Sequence, residues 1–207
     1  MEEQKISLGF AEEKFPAGSH ICYIFNDESE RNKLMAEYIQ SGLLAGDKFL
    51  YVFDTISKEE LQAVIEELGV DLSVPGQIDF KSARTTYCPL GSFSPSDMLE
   101  AIKQFYLQAL KDGYPGARGT GEMSWSLRGC PGSERLIEYE ARLTSLLRQY
   151  PYTAICQYDA RRFDGATIFD VLTVHPVMIV RGQLVRNPYF IEPEEYLRTL
   201  TPQQPDQ

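Results

Sequence analysis

Apolar residues follow two kinds of spacing along this chain. Short apolar runs are typical of buried strands, and they alternate with segments in which apolar residues recur every three to four positions, as on one face of a helix. We predict strands at 20–25, 49–54, 77–82, 117–125 and 153–159. Helices are predicted after Asn26, over 57–68, from Pro95 and over 133–149. This alternation predicts a mostly parallel sheet covered by helices on both faces, a three-layer α/β fold.

The two ends of the chain carry weaker patterns. Residues 1–19 are predicted to be an arm that ends at a Pro/Gly turn, and residues 20–190 to be one α/β domain. Apolar residues on either side of Gly182 predict a β-hairpin near the carboxyl end of that domain. Residues 191–207 are predicted to be a short helix and a frayed tail.

The predicted central strand, 117–125, breaks the usual pattern of a strand buried on both faces. Side chains alternate along a strand, so Arg118 and Glu122 share one face with Thr120 and Ser124. Gly119 and Gly121 lie on the other face and allow a close approach there. Charges and glycines in place of Val, Ile and Leu are expected at a functional site.

Polar residues also stand at the ends of four predicted strands. They are Asn26, Asp54, Glu122 and Asp159. The carboxyl ends of parallel strands meet at one edge of a sheet, where α/β proteins bind ligands. We therefore predict a ligand pocket at that edge.

The side chains predicted to line this pocket come from three strands. Glu122, Arg118 and Asp159 would orient the ligand, and Tyr23, Trp125 and Tyr158 would form its apolar walls. The competing interpretation is that Glu122 and Arg118, two positions apart on one strand, form a structural ion pair.

Glu140 falls on the apolar face of the helix predicted at 133–149. A carboxylate on a buried face must be paired or protonated, so Glu140 is a further candidate ligand group. Arg118, Arg161 or Arg162 could instead pair with it structurally.

Histidine and cysteine side chains offer a weak metal-binding signal. His20 and Cys22 point the same way on one strand, and Cys156 and His175 lie further along the chain. Because H-x-C alone is a weak motif and buried cysteines are ordinary core residues, we expect no metal or other cofactor. These four residues are the candidates if one is present.

Composition and motifs exclude several function classes. A formal net charge of −10 argues against general binding to nucleic acid or anionic membranes. The four cysteines form no C-x-x-C pair, and no signal or membrane-spanning segment is visible, so we expect a cytoplasmic protein with reduced thiols. The segment 25–31 (FNDESER) is acidic where a phosphate loop would need glycines and a lysine. We expect no NTP hydrolysis.

Seven segments together resemble the MEDS family of methanogen and methylotroph sensory domains. They are HICYIF at 20–25, GLLAG at 42–46, YVF at 51–53, GEMSW at 121–125, YE at 139–140, CQYD at 156–159 and HP at 175–176. This family is similar to RecA/KaiC-type P-loop domains whose phosphate loop has been lost. The resemblance implies that strand 20–25 adjoins 153–158, which adjoins 117–124.

The resemblance implies a prokaryotic, non-catalytic sensor of a small molecule, such as a simple hydrocarbon derivative. Family members act with histidine kinases, anti-sigma factors or transcription regulators, so a partner of that kind is implied. Two alternatives come from the residues themselves. One is an enzyme on a small metabolite with Glu122 or Glu140 as general base, and the other is an interaction scaffold without a ligand.

Overall fold

The computed structural model describes residues 4–200. Two short strands near the amino end, β1 (Lys5–Ile6) and β2 (Phe15–Pro16), pair antiparallel. The central sheet contains β3 (His20–Phe25), β4 (Lys48–Phe53), β5 (Ile78–Ser82), β6 (Ala117–Glu122), β7 (Tyr152–Asp159), β8 (Val177–Val180) and β9 (Gln183–Arg186). Its strand order is β5-β4-β6-β7-β3-β8-β9.

All neighbouring strands of this sheet run parallel except β8 and β9, which form the predicted hairpin. The predicted neighbours are confirmed, because β3 lies beside β7 and β7 beside β6. The three-layer, mostly parallel α/β fold predicted from the sequence is therefore confirmed.

Helices cover both faces of the sheet. They are α1 (Glu28–Leu44), α2 (Lys58–Glu67), α3 (Ala83–Tyr87), α4 (Pro95–Lys111), α5 (Leu136–Gln149), α6 (Gly165–Val174) and α7 (Pro193–Leu200). One apolar core lies between the sheet and α1 with α2, and a second lies between the sheet and α4 with α5. The position of a side chain on one sheet face or the other therefore decides which core it joins.

Helix starts follow the capping chemistry of the sequence. Ser57 and Glu60 form a complete capping box at α2. At α1, Asp27 caps the helix by accepting a hydrogen bond from Glu30 N at 2.8 Å. The Glu30 carboxylate accepts a hydrogen bond from the Tyr23 hydroxyl at 3.2 Å, so only half of a capping box forms at α1.

The central strand is shorter than predicted. It ends at Glu122, and Met123–Arg128 forms a 3₁₀ helix that Gly129 closes at a φ of 70°. Ser124 and Trp125 therefore leave the strand alternation. The helix predicted at 133–149 is also divided, with 3₁₀ geometry over Ser133–Arg135 before α5.

The amino-terminal arm packs against the domain. Leu8 is fully buried in the core beneath α1. Ser7 O accepts hydrogen bonds from the hydroxyl of Ser41 and from the guanidinium of Arg118. The tail predicted to fray includes residues 201–207, which lie outside the described residues.

The expectation of four reduced thiols is wrong for one pair, because Cys88 and Cys130 are joined by a disulfide. The two residues are 42 positions apart, so no local sequence motif predicts the pairing. Cys22 and Cys156 are free and buried. Within residues 4–200, no helix combines the length and apolar character needed to cross a membrane.

Candidate functional site

The aromatic residues predicted to form one pocket lie on opposite faces of the sheet. Tyr23 points into the core beneath α1, whereas Trp125 and Tyr158 belong to the core beneath α4 and α5. The prediction of three walls around a single cavity is therefore wrong. Neighbouring side chains of a strand point to opposite faces of the sheet. Tyr23 therefore points away from the core that its neighbour Cys22 shares with Trp125 and Tyr158.

Arg118 is bound at the amino edge of the sheet. Its guanidinium makes a buried ion pair with Asp47, the residue that precedes β4. It pairs with neither Glu122 nor Glu140, so both of the structural pairings considered for Arg118 from the sequence are wrong. Four residues of extended strand, or about 13 Å, separate Arg118 from the carboxyl edge.

Glu122, at the carboxyl end of β6, is fully engaged by protein donors. Its Oε1 accepts from Arg31 Nη1 at 3.0 Å. Its Oε2 accepts from Asp54 N at 3.1 Å, from Thr55 N at 2.8 Å and from the Thr55 hydroxyl at 2.7 Å. This buried carboxylate ties α1, β6 and the segment after β4 together.

Arg31 begins a chain of ion pairs along the same edge. Its Nε lies 2.8 Å from a carboxylate oxygen of Glu28 and forms an ion pair whose angle is too bent for a hydrogen bond. The Glu28 carboxylate also forms an ion pair with Arg161. Arg161 in turn donates from Nε to Asp159 at 2.7 Å. These hydrogen bonds hold the pKa of Asp159 below its ordinary value.

The carboxyl edge therefore gathers Asp54, Glu122 and Asp159 as predicted, and Asn26 is exposed at the end of β3. Arg31, which joins them, was not identified from the sequence. A usable signal existed, because Arg31 precedes Leu34, Met35 and Tyr38 at helical spacing on the buried face of α1.

A pocket of about 350 Å³ opens at this edge, beside the disulfide. Its lining residues are Asp54, Arg84, Cys88, Gly91, Trp125, Arg128, Gly129 and Cys130. The indole ring of Trp125 stacks on Tyr87 with ring centres 4.5 Å apart and is 2% exposed. Its buried N–H has no hydrogen-bond acceptor among the described residues.

Asp54 is the acidic group of this pocket. It accepts a hydrogen bond from the Ser124 hydroxyl at 2.7 Å and pairs with Arg128 at 3.1 Å. Because Asp54 N also donates to Glu122, the pocket and the ion-pair chain share one backbone segment.

A second polar cluster is buried between the sheet and α5, around Glu140, which is 0% exposed. The Tyr158 hydroxyl donates to Glu140 Oε1 at 2.6 Å. Around Oε2 lie His20 Nε2 at 3.1 Å, Cys156 Sγ at 3.5 Å and His175 Nε2 at 3.6 Å. Five of the sequence candidates thus come together, without Cys22 and without an arginine on Glu140.

The outer nitrogen of each imidazole has a fixed partner. His175 Nδ1 lies 2.8 Å from the carbonyl oxygen of Val171, which can only accept, so Nδ1 carries the proton. His20 Nδ1 lies 2.8 Å from Thr144 Oγ1, whose own proton goes to Val174 O at 3.0 Å. In both neutral rings the bare Nε2 is therefore on the side of Glu140.

Burial controls the charge of this cluster. Loss of solvation lowers the pKa of His20 and of His175 to about 3. It also raises the pKa of the Glu140 carboxyl and of the Cys156 thiol. The imidazoles are therefore neutral near pH 7, which is the form that donates a lone pair.

Two solved structures share the three-layer fold. A KaiC-like protein from Pyrococcus horikoshii matches with a TM-score of 0.60 and 15% identity, over 85% of this chain and 79% of that protein. The flagellar accessory protein FlaH from Methanocaldococcus jannaschii matches with a TM-score of 0.58 and 13% identity, over 88% and 84% of the two chains. The protein is thus of the KaiC-like, RecA-type fold class.

Within that class, the chain belongs to the MEDS family, the methanogen/methylotroph, DcmR sensory domain, whose family model matches residues 19–176. A curated relative is the transcriptional repressor DcmR of Methylorubrum extorquens, which is 28% identical over 160 residues. The match covers 75% of this chain and 57% of the repressor's length. The family membership expected from the seven segments is confirmed, and it supports a sensory role in signalling.

Proposed function

We propose that this chain senses a small organic molecule bound in the pocket beside Trp125. The observation that carries the proposal is the buried indole N–H without an acceptor, in the wall of a pocket of about 350 Å³. An unpaired buried donor costs about 1–3 kcal/mol, and a ligand whose acceptor group displaced the atoms that cover this N–H would recover that energy.

The size and lining of the pocket indicate the class of ligand. Ligand pockets span about 300–1,000 Å³, so this one would hold a small molecule. The Trp125 ring suits a short hydrocarbon body, and the indole N–H and the guanidinium groups of Arg84 and Arg128 suit an acceptor such as a carbonyl, hydroxyl or carboxylate oxygen. These features fit the simple hydrocarbon derivatives that the resemblance implied.

The path from this pocket to a partner would run through Asp54. Its carboxylate lines the pocket, and its backbone N–H is bonded to Glu122, which holds Arg31. A ligand that moved Asp54 would disturb the ion pairs to Glu28, Arg161 and Asp159. The proposed partner is a transcription regulator, a histidine kinase or an anti-sigma factor, consistent with the repressor relative.

The enzyme alternative is less well supported. Glu140 is fully buried, and both oxygens of Glu122 are bonded to protein donors. A general base must reach the proton that it removes. The acidic residues Glu28 and Glu30 at the start of α1 also argue against binding of ATP phosphates.

Trp125 is the only tryptophan, so its fluorescence reports directly on this pocket. Short-chain alcohols, aldehydes, carboxylates and haloalkanes should be titrated against the protein. We expect at least one class to shift the Trp125 emission saturably and to raise the melting temperature.

Trp125→Phe should keep the apolar wall and remove the N–H. The variant should lose most of the ligand-dependent rise in melting temperature while remaining as stable as the parent without ligand. Arg142→Ala changes a partly exposed side chain of α5 that does not line the pocket, and it should leave the response intact. The proposal fails if Trp125→Phe retains the full response, or if no class of compound alters the emission.

A further inference from the structure

We infer that the buried cluster of His20, Glu140, Cys156 and His175 is a binding site for Zn²⁺. Each residue offers one ligand atom, and the four atoms lie within 4.8 Å of one another. Two imidazole nitrogens, a thiolate and a carboxylate oxygen are the donors that zinc accepts, whereas Mg²⁺ and Ca²⁺ prefer oxygen alone.

Four of the six distances between the ligand atoms are close to those of a tetrahedral ion, and all six lie within 4.8 Å. Zn–N bonds of about 2.0–2.1 Å and Zn–S bonds of about 2.3 Å imply ligand–ligand edges of about 3.3–3.6 Å. Around Glu140 Oε2 the edges are 3.1 Å to His20, 3.5 Å to Cys156 and 3.6 Å to His175. The edge from His20 Nε2 to Cys156 Sγ is 3.4 Å.

The unpaired nitrogen of His175 is an independent sign of a ligand. His175 is 0% exposed, and its Nε2 has no hydrogen-bond partner among the described residues. Its Nδ1 proton is committed to Val171 O, so the bare Nε2 meets the carboxylate of Glu140 with no proton between them. An acceptor facing an acceptor in a dry core requires a cation or an added proton.

A proton on Glu140 would satisfy only part of the cluster. It could join Glu140 Oε2 to His20 Nε2 at 3.1 Å, and His175 Nε2 would still be unpaired. A single ion at the centre uses both imidazoles, the carboxylate and the thiolate together. Without a cation, the Cys156 thiol and a proton on Glu140 satisfy every contact except that of His175 Nε2, whereas a cation satisfies that nitrogen as well.

The surroundings supply the supporting contacts of a metal site. Metal-bound histidines usually donate their second N–H to an oxygen, as His20 does to Thr144 and His175 does to Val171 O. A surface cleft of about 470 Å³ has His20 and Thr144 in its wall and offers a route for the ion. The site would join β3, α5, β7 and the end of α6.

Tag-free protein from zinc-supplemented cells provides the first test. Elemental analysis should find about one zinc per chain after extensive dialysis, since buried structural sites bind tightly. Cys156→Ser should lose most of this zinc. Cys22→Ser is the matched control, because Cys22 is a free buried cysteine paired in register with Cys156 but outside the cluster.

Cobalt provides a second readout that needs no variant. Wild-type apoprotein titrated with Co²⁺ should develop the visible bands of a tetrahedral site and a thiolate-to-cobalt charge-transfer band, saturating at one equivalent. Zinc should then displace the cobalt and remove both features.

Thr144→Val, which removes the acceptor of His20 Nδ1, should weaken zinc binding by about 10–100-fold.

Zinc below a tenth of an equivalent together with an unchanged Co²⁺ spectrum would overturn the inference and leave Glu140 as a protonated acid. Equal zinc loss in Cys22→Ser and Cys156→Ser would also overturn it. If Cys156→Ser does not fold, the Co²⁺ titration of the wild type decides alone. The result is independent of the ligand proposed at Trp125.

Discussion

Two buried glutamates show that a carboxylate's role depends on the donors around it. Glu122 receives four hydrogen bonds from Arg31, Asp54 and Thr55, so its charge is compensated within the protein. Glu140 accepts hydrogen bonds from the Tyr158 hydroxyl and the Cys156 thiol, and its Oε2 faces two bare imidazole nitrogens. The first arrangement stabilises the fold, and the second is suited to an ion.

Glu122→Gln should therefore destabilise the protein. The amide oxygen can replace one carboxylate oxygen, but the buried guanidinium of Arg31 loses its buried counter-ion and keeps only the half-exposed Glu28, at a cost of roughly 3–5 kcal/mol. Thermal unfolding should show a fall in melting temperature of roughly 6–20 °C. Glu138→Gln, which changes a surface carboxylate paired with Arg135 and Arg142, should lie within about 0.5 kcal/mol of wild type.

A melting temperature near that of wild type would contradict the structural role of Glu122. It would return this residue to the group of candidate ligand contacts, as the sequence alone predicted.

Among the elements, β6 has a charged face and a glycine face, and each makes a different set of contacts. Its charged face binds the arm, α1 and the segment after β4. Its glycine face admits the hydroxyl ends of Tyr152 and Tyr87, and only about 30 Å³ of space remains there. The close approach predicted from the glycines is therefore made by the protein's own tyrosines.

Gly119→Ala should disrupt this packing. Its added methyl group would overlap the Tyr152 hydroxyl and lie 2.8 Å from the carbonyl oxygen of Leu50. Overpacking of this kind costs about 1–3 kcal/mol, which urea unfolding can measure. Gly165→Ala, where the new methyl group meets no atom within 4 Å, is the control and should be neutral or slightly stabilising.

Equal unfolding midpoints for Gly119→Ala and Gly165→Ala would mean that Tyr152 moves aside without cost. The glycine would then have no packing role.

At the scale of the whole molecule, the 88–130 disulfide closes a loop that contains α4 and β6. It connects the end of α3 to the segment after the 3₁₀ helix, beside the proposed ligand pocket. The bond thus fixes two walls of that pocket relative to each other.

Removal of this bond should be measurable as a loss of stability. For a loop of 42 residues, the chain-entropy account gives about 4 kcal/mol for the oxidised protein. Cys88→Ser, or reduction of the wild type, should lower the free energy of unfolding by about that amount. Cys22→Ser, which leaves the disulfide in place, should still lose stability when reductant is added. Peptide mapping that finds Cys88 and Cys130 free in air-oxidised protein would refute the pairing.

Local patterns in the sequence determined the elements and their order. Apolar periodicity located the principal strands and helices to within a few residues, since burial and backbone geometry impose those periods on any chain. The carboxyl-edge set of Asp54, Glu122 and Asp159 followed from the rule that parallel strands end together. The seven family segments identified the family.

Tertiary structure alone decided which side chains meet. Glu122 pairs with Arg31 and not with Arg118, because one helix turn of α1 lies over the end of β6 while Arg118 lies at its start. His20, Glu140, Cys156 and His175 converge from four elements, and Cys88 meets Cys130 across 42 residues. Such contacts depend on the angles and distances between packed elements, which residue spacing along the chain does not encode.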